Sequence, residues 1–126
     1  MAIPSGSGTE VLYRTTINGQ AADATSFRWD RTNATTGTET YAVPALHIIT
    51  VVSIFINNID NDAREFDLLI NDGANDIYLI NDQAIGGDAT FILNDRLVLV
   101  AGDKLIFRAS AGNLDAYCSF IDQDWS

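Results

Sequence analysis

Leu46-His47-Ile48-Ile49-Thr50-Val51-Val52-Ser53-Ile54-Phe55-Ile56 is the longest β-branched stretch in the chain. Val, Ile and Thr are stiff at χ1 and pack well on a pleated, half-buried surface. Thr50 and Ser53 interrupt the run, and it stays far short of the ~18 apolar residues of a membrane helix. Both of its parities are apolar, which predicts a central strand covered on both faces.

On either side the same chemistry recurs in shorter pieces. Upstream, residues 10–17 form a strand pattern closed by Asn18-Gly19, a strong turn pair. Residues 24–30 follow, with Phe27 and Trp29 on one face and Arg28 on the other, and residues 31–40 are a Thr/Asn/Gly loop. Downstream, 57–63 is a turn, and 64–70 and 76–80 form a hairpin around Asn71-Asp72-Gly73-Ala74-Asn75. A loop at 81–88 leads to strands at 89–93, 97–100, 104–109 and 116–121, then to an acidic tail containing Trp125. Turn signals recur every 8–15 residues and no useful 3.6-residue period appears. The expected fold is all-β: an antiparallel two-sheet β-sandwich, jelly-roll-like, of eight to nine strands. An immunoglobulin-like strand order is equally compatible, although the Cys…Trp…Cys signature of true immunoglobulin domains is missing. The expected organisation is a flexible arm over residues 1–8, one sandwich domain over 9–122, and a short tail over 123–126.

At 126 residues and 13.7 kDa the chain is one domain. Seven basic against seventeen acidic residues give a net charge of −10, with fourteen Asp, three Glu and a single Lys, Lys104. Asp, Asn, Gly and Thr favour turns and strands over helices. Phosphate neutralisation needs clustered Lys and Arg, so nucleic acid is excluded as a partner, and anionic membranes are disfavoured for the same reason. The charge is uneven: residues 1–50 carry three Arg and four acids, while residues 51–126 carry four basic and thirteen acidic groups. The first 50 residues are thus the less repulsive part towards an acidic partner. Met1-Ala2-Ile3-Pro4-Ser5-Gly6-Ser7-Gly8 has neither a basic n-region nor an apolar h-region, so no secretory signal is expected.

Catalytic motifs are sparse. His47 and Cys118 are the only His and the only Cys, so they form the sole possible Cys–His pair. The expectation for His47 is a strand-end histidine with a structural hydrogen bond and same-face neighbours Ile49, Val51 and Phe55. Cys118 is either a buried free thiol or a bridge between two copies of the chain. No G-x-S-x-G, P-loop, G-x-G-x-x-G or H-E-x-x-H motif occurs. Asn-Asp occurs at 61–62, 71–72, 75–76, 81–82 and 94–95, which suggests calcium ligands. Yet Asp60-Asn61-Asp62 lacks the required Gly, and Arg64 stands where an acid is needed. Asx residues at hairpin turns need no metal. No cofactor, metal or catalytic residue is assigned. A carboxylate pair of glycosidase type is not excluded by counting. Trp29, Tyr41, Tyr78 and Tyr117 could stack on sugars, although such aromatics more often belong to the core.

Two stretches carry a family resemblance. The opening, Met1 through Leu12, resembles the start of many tailed-bacteriophage virion proteins. Leu93-Asn94-Asp95-Arg96-Leu97-Val98-Leu99-Val100-Ala101-Gly102-Asp103-Lys104-Leu105, continuing through Arg108-Ala109-Ser110-Ala111-Gly112-Asn113, is similar to the ending of small phage β-sandwich structural proteins. The resemblance covers about a third of the chain. It implies a non-enzymatic virion protein, a capsid decoration (cement) protein that bridges capsomers on the outside of the head shell, with a tail, baseplate or fibre component as the alternative. The implied partners are the major capsid protein shell and further copies of the chain, as dimer or trimer. Ile3 and Pro4 in the arm, Val11 and Tyr13 in the first strand, and Trp125 are the candidate partner-binding residues.

Overall fold

The computed structural model describes residues 9–20, 24–30, 41–111 and 113–125. Ile3, Pro4 and the 1–8 arm lie outside the described residues. Among the described residues nine strands follow one another: β1 (Thr9–Gln20), β2 (Ala24–Ser26), β3 (His47–Asn58), β4 (Arg64–Asn71), β5 (Asp76–Ile85), β6 (Thr90–Leu93), β7 (Leu97–Val100), β8 (Lys104–Ala109) and β9 (Leu114–Asp124). They form two antiparallel sheets. The first has the order β1-β9-β3-β6, with β7 also paired to β3, and the second has the order β2-β8-β4-β5. β6 lies along residues 54–57 of β3 and β7 along residues 48–51, so together they act as one broken strand. With that pair counted once, each sheet has four positions, and successive strands switch sheets in jelly-roll order except at the β4–β5 hairpin. The fold is therefore a jelly-roll-like β-sandwich, as the turn spacing and strand chemistry indicated.

Side chains alternating inward from the two sheets fill the core. Ile49, Val51, Ile54, Ile56, Cys118 and Phe120 meet Phe66, Leu68, Leu105 and Phe107. The ring of Trp29 packs edge-on against Phe120 at a centroid distance of 5.0 Å. Phe27 and Trp29 are buried and Arg28 is half-buried, which matches the alternation in the sequence, although pairing ends at Ser26.

Three local expectations are corrected. First, β3 is central within its sheet but covered on one face only. Its register against β9 slips between Val51 and Ser53, so Val52 is an extra residue and the inward parity changes there. Ile49 and Val51 point inward before the bulge, Ile54 and Ile56 after it. Phe55 therefore lies on the outer face, not beside Ile49 and Val51 as a regular alternation requires. Second, β5 continues to Ile85 through the expected 81–88 loop. Asp82 adopts a positive φ of 50° there, and its N–H is held by Asp67 Oδ1 at 2.7 Å. Third, β9 runs to Asp124, past the expected end of its strand, because Asp122, Gln123 and Asp124 pair with both β1 and β3.

Asn58 organises the end of β3. It is fully buried. Its Nδ2 donates to the carbonyls of Asp62 (2.8 Å), Ile85 (3.2 Å) and Gly86 (3.2 Å), and its Oδ1 accepts the Asp60 N–H at 3.0 Å. One amide thus joins β3, the loop after it and the end of β5.

Candidate functional site

The inward-facing residues at one end of the first sheet line a cleft of about 310 Å³. Its walls include Val11 and Tyr13 from β1, Asp122 and Asp124 from β9, His47 from β3, and Trp29 from the link after β2. The register explains the grouping, since Val11 pairs with Asp122 while His47 and Thr9 both pair with Asp124. His47 is held between two carboxylates, with Nδ1 2.8 Å from Asp122 Oδ1 and Nε2 3.3 Å from Asp124 Oδ1. Beside it the Trp125 N–H donates to the Leu46 carbonyl at 2.9 Å. Of the sequence-selected contact residues, Val11 and Tyr13 line this cleft, and Trp125 is tied to Leu46 at the start of β3. Tyr13 is half-buried, its ring 6.0 Å from that of Phe120. His47 and the pair Asp122/Asp124 were not selected as contact residues, because only the antiparallel pairing of β3 with β9 brings residues 75 positions apart together.

Cys118 lies far from this cleft. It pairs with Ile54 while His47 pairs with Asp124, about 20 Å apart at ~3.3 Å per residue. The two do not form a catalytic pair. Burial pushes the Cys118 thiol far above its ordinary pKa, so it is neither nucleophilic nor placed to bridge two folded copies.

The Asn-Asp pairs at 71–72 and 75–76 are hydrogen-bonded around the β4–β5 turn, whereas Asn81-Asp82 lies within β5. Asp72 Oδ1 accepts the N–H groups of Ala74 (3.0 Å) and Asn75 (2.7 Å), and Asn71 Nδ2 donates to Asp76 Oδ1 at 2.7 Å. Asp60 Oδ2 takes Arg64 Nη2 at 3.2 Å. Among the described residues no group of three His, Cys, Asp or Glu side chains is arranged to hold a metal.

A second feature was not anticipated. The outer face of the first sheet carries Leu12, Val98, Ile92, Phe55 and Tyr117, which are 67%, 62%, 50%, 43% and 37% exposed. The register arranges them in two apolar rows, Leu12–Ile121–Thr50–Val98 and Thr16–Tyr117–Phe55–Ile92. Between these rows run Arg14, Ser119 and Ser53, whose two serine hydroxyls are 2.8 Å apart. Phe55 and Tyr117 meet edge-to-face at 6.0 Å. The outer face of the second sheet is mixed: the Asp67–Arg108 and Asn71–Lys104 pairs flank Leu69–Ile106, and Tyr78 of β5 beside Leu69 is exposed, with Arg108 Nη1 3.6 Å from Asp67 Oδ2. The sequence signal for the apolar face lies in the two-parity apolar character of β3, which predicts double-sided burial, and of Leu97-Val98-Leu99-Val100.

No family model and no curated protein matches the chain. Solved structures do. A protein of Bacillus endospore appendages, described as a novel family of disulfide-linked pili, superposes over 100% of this chain and 97% of its own at 14% identity, with a TM-score of 0.52. An infectious bursal disease virus structure (Gx strain) matches 98% of this chain and 32% of its own at 9% identity and a TM-score of 0.48. A pentameric capsid protein from metagenomic phage sequences matches 93% of this chain and 58% of its own at 15% identity and a TM-score of 0.38. At these identities the likeness is one of fold, and the two viral matches fall below the overlap at which even that comparison carries weight. The chain is a jelly-roll-like sandwich whose structural neighbours include pilus and capsid proteins.

Proposed function

We propose that this protein is a non-enzymatic structural subunit of an assembled particle, a decoration protein that binds the outside of a viral head shell. The observation that carries this reading is the outer face of the first sheet. A domain that has filled its core yet leaves two rows of large apolar side chains on one sheet face is built to be covered. The resemblance of residues 1–12 and 93–113 to phage virion proteins supplies the kind of particle. Binding assembled shell but not free subunits stabilises the shell by mass action. Many copies, each bridging two capsomers, multiply a modest affinity. The net charge of −10 keeps free copies soluble.

In this proposal the end of the molecule that holds Val11, Tyr13 and Trp125 faces the shell, and Ile3 and Pro4 extend that contact. The test is to add purified protein to heads lacking it and to measure bound copies and position in the particle. Copies on the order of hundreds at regular positions on the head are expected, as shell symmetry requires. A few copies confined to the tail would replace this reading with a tail or fibre role. A variant lacking residues 1–8 should show reduced occupancy, and full occupancy would remove Ile3 and Pro4 from the contact.

A further inference from the structure

We propose that the outer face of the first sheet is covered by the same face of a second copy, around a two-fold axis running parallel to the strands between β3 and β9. The inference rests on the structural-subunit reading above and names the partner of that face. Such an axis exchanges β9 with β3, and β1 with the β6/β7 edge, while keeping each residue at its own level along the strands. The outward residues then match in kind. Tyr117 of one copy meets Phe55 of the other, Thr16 meets Ile92, Leu12 meets Val98, and Ser119 meets Ser53, as the ladder levels dictate.

The middle level holds the charged residues of the contact. Leu93 pairs with Ile54 and Leu97 with Val51, so the Asn94-Asp95-Arg96 link between β6 and β7 passes beside Val52 and Ser53. The exchange places Arg14 of one copy at the level of this link in the other, beside Asp95 and also beside Arg96, so the link itself carries no net charge. Arg14 is the one basic residue on the strands of this face among the described residues, and its side chain makes no hydrogen bond or ion pair there.

Charge and size also favour a second copy. The outward positions of these strands hold only Glu10 and Asp115 as acids, against Arg14. Two molecules of net charge −10 can therefore meet here without pressing their acidic loops together. Four strand positions at ~4.8 Å and about ten residues at ~3.3 Å give a face of roughly 600 Å². Two such faces bury roughly 1,200 Å², the lower end of specific interfaces.

Sedimentation velocity of the full chain tests this. A dimer of twice the 13.7 kDa chain mass is expected at micromolar concentration. Salt should tighten it, because screening weakens the long-range repulsion between two molecules of net charge −10. Val98→Glu should weaken dimerisation at least 100-fold, whereas Ile77→Glu on β5 should leave it unchanged. Arg14→Asp and Asp95→Arg should each weaken it about tenfold, and combining them should restore it. Unchanged circular-dichroism spectra would show that each variant is folded. A monomer at all concentrations, a trimer or pentamer, or a dimer indifferent to Val98→Glu would overturn the proposal. So would failure of the double charge swap to recover. If the chain is monomeric yet still decorates heads and loses decoration with Val98→Glu, the face belongs to the shell. The structural-subunit reading would then survive and this inference would not.

Discussion

His47 and Asp122 are tied by a 2.8 Å contact between Nδ1 and Oδ1, which fastens the first residue of β3 to the closing stretch of β9. Both side chains are largely buried, at 19% and 15% exposure. Replacing His47 with Ala should cost about 1.5 kcal/mol of stability, the magnitude of a hydrogen bond to a charged group. A double-mutant cycle with Asp122→Ala, followed by urea unfolding, should return a coupling of about 1 kcal/mol. Zero coupling would mean that the contact is incidental.

Asn58 is expected to be the most sensitive polar residue. Asn58→Ala removes the donor shared by the carbonyls of Asp62, Ile85 and Gly86. Leaving buried acceptors unpaired costs roughly 1–3 kcal/mol, so a loss of about 3 kcal/mol is expected in chemical denaturation. Asn58→Asp should be worse, because a carboxylate cannot donate to those carbonyls.

Two adjacent glycines should behave differently. A Cβ on Gly87 would collide with the backbone carbonyl of Asn61, whereas one on Gly86 would meet only the Ala89 Cβ at 3.8 Å. Gly87→Ala should lower stability by about 2 kcal/mol, since overpacking of a fixed backbone costs ~1–3 kcal/mol. Gly86→Ala should stay within about 0.5 kcal/mol of the parent. Thermal melting of the two variants side by side checks the contrast.

The Cys118 thiol should be silent in the folded protein. Its burial raises the pKa and leaves little thiolate at neutral pH. A thiol-specific reagent should react only as the chain unfolds, and non-reducing electrophoresis should show a single monomer band. Rapid native labelling would contradict the placement of Cys118 in the core.

Acid should loosen the β4–β5 turn. The N–H groups of Asn75 and Ala74 hold the Asp72 carboxyl below its ordinary value of 3.8. A group whose folded pKa is depressed contributes stability above its unfolded value and loses that contribution as pH falls through the folded one. Amide exchange at Ala74 and Asn75, corrected for the intrinsic pH dependence, should therefore lose protection below pH ~3.8. Asp72→Ala should remove this pH dependence, and an unchanged profile in that variant would assign the effect to another group.

The legible part of the fold was local. β-Branched runs and turn signals located the nine strands with ends off by a few residues, although Asn18-Gly19 lies within β1 and does not close it. The main misreading was the two-parity apolar character of residues 46–56. One part of its cause is the bulge at Val52, which changes the parity that faces the core. The other part is an apolar outer face carrying Ile48 and Phe55. Periodicity cannot separate these causes from burial on both sides, because each puts an apolar residue at successive positions. The candidate contact residues fared unevenly. Val11 and Tyr13 could be selected from their strand, but the cleft they share with His47, Asp122 and Asp124 could not.

The sequence by itself determined that this chain is an all-β protein of strongly acidic charge, because side-chain shape and turn chemistry act over a few neighbouring residues. Strand order, the parity change in β3, the clamp on His47 and the apolar outer face were decided only by tertiary structure. Each depends on which distant strands hydrogen-bond and in what register, and that choice is made by packing the whole core at once.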